Sequence, residues 1–330
     1  MPVNIKNHFR RGLMMPISKL LAAVAAILLF ALPGAALCQE VTTNLTDNPE
    51  KASFVYDDVL NFIRAQKMLS DGGDTLAILQ AEYIDKGTPG LKMFIEKYGL
   101  TPERLAKAIR KYPDQYASIE RLPRLLKELE SKTRKAFVKL KEYVPGAVYP
   151  PTYFLVEAHR GIGSGSTEGQ LISVDKWKPP LDHQITMIIH ELVHFQQVVA
   201  VGYDKYKALF GPEKSLLGLC IREGTAEFFA DLVTGRITQD EGLEYTLKHE
   251  ERLWEQFETE MNGEETGDWM WKKPEDPEQP YHVGYALGYR IVEAYYNNAD
   301  DKAGAVNDIL SVTDYQGFLD QSGYRDKMSR

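Results

Sequence analysis

The sequence predicts a predominantly helical α+β protein, and three observations carry that reading. Helix-start signals and helical apolar spacing run through residues 49–143, a short β-branched and aromatic stretch follows Pro150-Pro151, and helical spacing resumes after Pro179-Pro180. In the first stretch, Pro49 opens a segment in which Phe54, Val55, Val59, Phe62 and Ile63 share one helical face. Thr101-Pro102-Glu103 combines a capping hydroxyl, a first-turn proline and an acid favoured by the helix dipole, with a stop before Pro113. A Lys-, Glu- and Leu-rich helix is expected from about Arg124 to Tyr143. Nothing in 49–143 suggests chemistry.

Thr152-Tyr153-Phe154-Leu155-Val156 and Leu171-Ile172-Ser173-Val174 read as two strands. Between them Gly161, Gly163, Gly165 and Gly169 surround a Ser/Thr-rich loop. No Lys-Ser/Thr pair or helix start follows these glycines, so they mark a turn or a close approach of another backbone rather than a phosphate loop. Farther on, Thr238-Gln239-Asp240-Glu241 reads as a capping-box start. Its helix is expected to carry Leu243, Leu247, Trp254, Phe257 and Met261 and to end at Asn262-Gly263.

With 330 residues, 44% hydrophobic and 26% charged, the chain has the composition of a globular protein able to bury a core without covalent staples. Asp+Glu 47 against Lys+Arg 39, with no long basic run, argues against nucleic acid as a partner. Residues 1–38 hold Lys6, Arg10, Arg11 and Lys19 and no acid, then an apolar run from Leu20 to Leu32 and Pro33-Gly34-Ala35-Ala36-Leu37-Cys38. Thirteen apolar residues are short for a membrane span and suit the core of a secretory signal, cut after Ala36 or Cys38. Removing them leaves a more acidic chain, expected to be periplasmic or secreted, with no stable membrane insertion; the alternative is an N-terminal membrane anchor that stays attached. The expected organisation is a signal peptide over 1–38, a helical region over 39–145 and a site-bearing domain over 146–330.

The chemistry concentrates between residues 183 and 227. His190-Glu191-Leu192-Val193-His194 is an HExxH pattern, and on a helix its two imidazoles lie one above the other and can reach one ion. Glu191 projects beside them, placed to hold a water rather than to ligate. The flanking Ile185, Met187, Ile188, Ile189, Val198 and Val199 are apolar, as a helix buried between layers requires. Catalytic zinc takes three protein ligands. Downstream, Glu223 and Glu227 stand four apart with Gly224 and Ala226 between them, small enough to pack close against the HExxH helix. Two acids on the inner side of an apolar helix need a positive partner. Glu223 is therefore assigned to one Zn2+ per chain, and Glu227 to a ring N–H of a liganding histidine.

His190–His194 followed by Glu223-Gly224-Thr225-Ala226-Glu227 resembles the gluzincin zinc metallopeptidases, in which a glutamate on a later helix completes HExxH. The Glu-Gly-x-Ala core matches, whereas Arg222 stands where the aminopeptidase members carry Asn. The chain is most similar to the uncharacterised bacterial predicted Zn-dependent proteases, which add Gln near the second histidine (Gln196-Gln197 here) and a Tyr-rich Gly segment downstream. The resemblance spans roughly 150–330 in motifs and 50–145 only in general texture. It implies a zincin-like unit, with a small β-sheet above the active-site helix, a helical C-terminal part, and a peptide or protein substrate. The 49–143 helices would pack against that unit.

In the gluzincin aminopeptidases a Tyr-x-x-Gly stretch supplies the phenol that steadies the tetrahedral intermediate, and Tyr281 of Pro280-Tyr281-His282-Val283-Gly284-Tyr285 occupies that place. His282 and Tyr285 are its rivals, and simple packing of a terminal helix at Gly284 and Gly288 is the other reading of the segment. Glu191 is then the general base, and the Gly165–Val174 segment, if an exposed strand, would pair with an extended peptide. The alternative is an exported zinc-binding or interaction protein of the same fold without turnover. Cys220 reads as a buried apolar cysteine, His183 as solvated, and Trp269 and Trp271 as lining a pocket or closing a flap.

Overall fold

The computed structural model describes residues 45–329, so the expected leader over 1–38 lies outside the described residues. A four-stranded sheet in the order β1-β2-β4-β3 organises the part of the molecule that holds the site. Strands β1 (Phe54–Val55), β2 (Thr152–Leu155) and β4 (Gln170–Ser173) run parallel, and β3 (Gly163–Gly165) closes one edge antiparallel to β4. Every residue of β2 and β4 is buried, as parallel strands covered on both faces must be.

Fifteen α-helices are described around it. The first six are α1 (Asp57–Asp71), α2 (Thr75–Leu79), α3 (Pro89–Tyr98), α4 (Pro102–Lys111), α5 (Pro113–Ala117) and α6 (Leu122–Tyr143). α7 (Asp182–Val201), α8 (Tyr203–Ala208) and α9 (Leu216–Thr234) carry the motifs. α10 (Asp240–Lys248), α11 (Glu250–Glu260), α12 (Val283–Asn298), α13 (Lys302–Leu310), α14 (Tyr315–Ser322) and α15 (Tyr324–Met328) complete the helical C-terminal part. No helix among the described residues is long and apolar enough to cross a membrane.

The capping signals act as read at α4, where the Thr101 hydroxyl accepts the Arg104 N–H at 3.3 Å and Pro102 begins the helix. Three expectations fail for tertiary reasons. Phe54 and Val55 are not helical: they pair with Thr152 and Tyr153, so the N-terminal region contributes a strand to the central sheet. Thr238 does not cap α10, because its N–H and hydroxyl are both given to Glu227. The single helix expected from there breaks at His249 into α10 and α11, and Leu247 is exposed rather than packed.

α7 lies on one face of the sheet and α3 on the other. Built Cβ atoms show the assignment: one on Gly163 would stand 2.7 Å from Glu191 Oε1 of α7, and one on Gly90 of α3 would fall 2.2 Å from the Tyr153 ring of β2. Buried side chains from Ala52 to Tyr324 form one continuous core, so the 45–143 helices pack on the rest without a separate interior. The close-packing glycine of α9 has a different partner from the one expected. A Cβ on Gly224 would fall 2.1 Å from the Gly288 carbonyl carbon, so Gly224 admits α12, not the HExxH helix.

Candidate metal centre

α7 holds Ile185, Ile188, Ile189, Leu192 and Val193 in the core, which turns His190 and His194 to a common side against α9. Nε2 of His190 lies 3.4 Å and Nε2 of His194 3.3 Å from one oxygen, Glu223 Oε2. The three ligand atoms sit within 4.8 Å of one another. Donors about 2.0–2.1 Å from a tetrahedral zinc are about 3.3–3.4 Å apart, so the two carboxylate–imidazole spacings fit that ion.

Each ligand is held from behind. His194 Nδ1 faces Gln197 Oε1 at 2.9 Å, and Gln197 Nε2 donates to the Arg222 carbonyl at 3.0 Å, tying α7 to α9. Gln197 Oε1 can only accept, so His194 donates from Nδ1 and leaves Nε2 as a lone pair. His190 Nδ1 stands 3.2 Å from Glu227 Oε1 but off the N–H axis, so the contact is electrostatic rather than a formed hydrogen bond. Glu227 is itself fixed by the Thr238 N–H at 2.6 Å and by the Thr238 hydroxyl. Arg222 Nη2 donates to Glu223 Oε1 at 2.9 Å, occupying one carboxylate oxygen and leaving the other toward the imidazoles. The Arg222 guanidinium is buried and stacks 3.6 Å from the Phe210 ring centroid.

Burial opposes a charged His190, yet the Glu227 and Glu223 carboxylates overrule it and hold the imidazole pKa well above its usual value. Burial likewise opposes the Glu223 anion, and His194, His190 and Arg222 bring it well below the carboxylate range. The pocket is thus built for positive charge. Burial pushes the Glu191 carboxyl up, against the pull of both imidazoles. The space beside Glu191 exists because residue 163 is glycine.

The structure brings His190, Glu191, His194, Glu223, Glu227, His282 and Tyr285 together. The Tyr285 ring stacks on His190 at 6.0 Å between centroids, the His282 ring lies 5.1 Å from Tyr285, and burial pushes the Tyr285 phenol well above its usual pKa. Tyr281 is placed differently: it is 48% exposed, and its ring lies 6.0 Å from His282 at the rim. The two tryptophans part company. Trp269 is buried and donates to Glu260 Oε2, whereas Trp271 is 47% exposed and donates to the Tyr285 hydroxyl at 3.1 Å. Cys220 is buried with its thiol pushed up by burial, and His183 is exposed.

Residues 150–312 match a family model described as Predicted Zn-dependent protease (DUF2268). That stretch, just under half of the chain, is similar to that family. The match takes in β2 to β4, the HExxH helix, the Glu223 helix and α12, and leaves out the N-terminal helices and β1. No curated protein and no solved structure matches the chain.

Residues that sequence reasoning passed over include Thr238, misread as a cap, and Gly163, read only as a turn or close approach. Arg222 was visible solely as a departure from Asn, and its position just before Glu223 was the available signal. The strand expected to be exposed is also different. β4 is paired on both sides, by β2 and β3, so the sheet edge beside the site belongs to Gly163–Gly165.

Proposed function

We propose that this chain is a zinc-dependent peptidase, and the observation that carries the reading is the convergence of His190 Nε2 and His194 Nε2 on Glu223 Oε2 beside Glu191. His190, His194 and Glu223 hold the ion, which when bound supplies Lewis acidity toward the scissile carbonyl and the attacking water. Glu191 accepts the water proton on its carboxylate and delivers it to the departing amine. Glu227 and Gln197 fix the ring nitrogens that do not ligate. The Tyr285 hydroxyl accepts from Trp271, which leaves its own proton free to donate to the developing oxyanion. That geometry favours Tyr285 for the donor role over the exposed Tyr281.

The edge strand supplies main-chain partners for substrate. Ser166 and Gly169 exchange both hydrogen bonds, so by antiparallel alternation Gly163 and Gly165 turn their N–H and C=O groups away from β4. There the Gly165 carbonyl already accepts from Lys97 Nζ and the Ser164 hydroxyl, which leaves the Gly163 groups and the Gly165 N–H for a peptide. An extended peptide adds there as a further strand, with its backbone passing Glu191. We also propose that the protein is exported, on the basic and apolar pattern of residues 1–38.

The test pairs metal analysis of the purified protein with digestion of a mixed peptide library by wild type and Glu191→Gln. The expected outcome is one zinc per chain in both proteins, with cleavage in the variant lower by about a thousandfold or more. Equal cleavage by both would remove Glu191 from the mechanism. Stoichiometric zinc with no cleavage by either would leave the zinc-binding protein without turnover.

A further inference from the structure

The N-terminal helices lie outside the family match, yet one of their side chains stands on the edge strand of the site. Lys97, in the last turn of α3, donates from Nζ to Ser164 Oγ at 2.5 Å and to the Gly165 carbonyl at 3.1 Å. The Tyr98 hydroxyl donates to the same Ser164 oxygen at 2.8 Å. Ser164 is buried, whereas Lys97 is exposed, and an ammonium carries three donors, so one N–H of Lys97 remains for a ligand.

The two faces of this edge are distinct. Cβ atoms on Gly163 and Gly165 would point at Glu191 and Phe195 of α7, whereas Ser164 points to the α3 side. A peptide strand laid along Gly163–Gly165 alternates its side chains in the same way, and directly opposed residues share a face. Its residue level with Ser164 therefore projects away from the metal side, toward Lys97.

We infer that Lys97 is a specificity-determining residue, whose ammonium receives the carboxylate of an acidic side chain on the bound peptide at the position level with Ser164. The inference rests on the peptidase reading and deepens it. The N-terminal region thereby contributes to substrate choice as well as to the sheet.

The test uses matched, internally quenched peptides with amidated C-termini, carrying Glu, Gln or Lys scanned on either side of the cleaved bond. A parallel set has a free C-terminal carboxylate. Wild type and Lys97→Arg are expected to prefer Glu over Gln at one position by about tenfold in kcat/KM, the scale of one charge-assisted contact. Lys97→Met should bring that ratio to about one, and Lys97→Glu should favour Lys there instead, an inversion that mere loss of structure cannot produce. The same Glu-to-Gln ratio in all four proteins overturns the inference, as does a preference confined to the free-carboxylate set. Fluorescence anisotropy of the same peptides, labelled, on full-length Glu191→Gln and Glu191→Gln/Lys97→Met separates the two claims. Lys97-dependent binding preference without turnover by wild type sinks the peptidase reading and keeps Lys97; turnover without that preference sinks Lys97 alone.

Discussion

The floor and the rim of the cleft are built on different terms. On the floor, His190, Glu223 and Glu227 are buried in two regular helices, and every ligand has a second side chain behind it. At the rim, Trp271 and Tyr281 are about half exposed and come from the segment between α11 and α12. Floor positions follow from four-residue helical spacing, so on the peptidase proposal a change there is expected to act on metal binding. Rim positions follow from how α12 crosses α9 at Gly224 and Gly288, so on the peptidase proposal a change there is expected to act on substrate. Tyr285 sits at the boundary: it belongs to α12 but stacks on His190.

The sharpest way to break that division is to remove single hydroxyls. Tyr285→Phe should lower kcat by about a hundredfold, the scale of one lost oxyanion donor, with zinc content unchanged. Tyr281→Phe should stay within about threefold of wild type, since the residue is half exposed at the rim. Steady-state kinetics on one peptide checks both, and the reverse order would move the donor to the rim.

A smaller effect tests how far the floor extends. Thr238 lies in the loop before α10, yet it fixes Glu227. Thr238→Val keeps the backbone N–H and removes the hydroxyl, and should weaken zinc affinity about tenfold in a competitive chelator titration. An unchanged affinity would detach Glu227 from the metal centre.

A separate test, of stability rather than of the site, contrasts two buried carboxylates. Glu223 is held low by two imidazoles and Arg222, whereas burial first, and Glu157 second, push Asp175 up to about 7. A raised folded pKa means that Asp175 stabilises the fold while protonated. That contribution is complete below its unfolded value near 4 and is lost as pH rises through about 7. Asp175→Asn should therefore gain on wild type with rising pH, by roughly 3–4 kcal/mol at pH 8 relative to pH 4, in urea melts at the two values. A constant difference between the proteins would remove Asp175 as the cause.

Much of the floor was legible because its chemistry is local. His190 and His194, or Glu223 and Glu227, share a face by spacing alone, and the apolar residues around them announce burial. The helix start at Thr101-Pro102 and the strands near 152 and 171 were equally readable from local preference. What escaped was each case where a residue with one local meaning was claimed by a distant partner. Phe54 and Val55 fit a helical face but pair with β2, and Thr238 fits a cap but bonds Glu227. Gly163 fits a turn but clears Glu191, and Lys97 fits a solvated helix end but reaches the edge strand.

By itself, then, the sequence determined the helical class, the two motif helices and which side chains share a face on each, because periodicity within one helix fixes direction. Only the tertiary structure decided which strand lies at the sheet edge beside α7, which tyrosine stacks on the imidazole, which threonine bonds Glu227 and which lysine reaches the edge strand. Those outcomes depend on the crossing of elements far apart in the chain, where close packing of glycines and the pairing of buried polar atoms outweigh local preference.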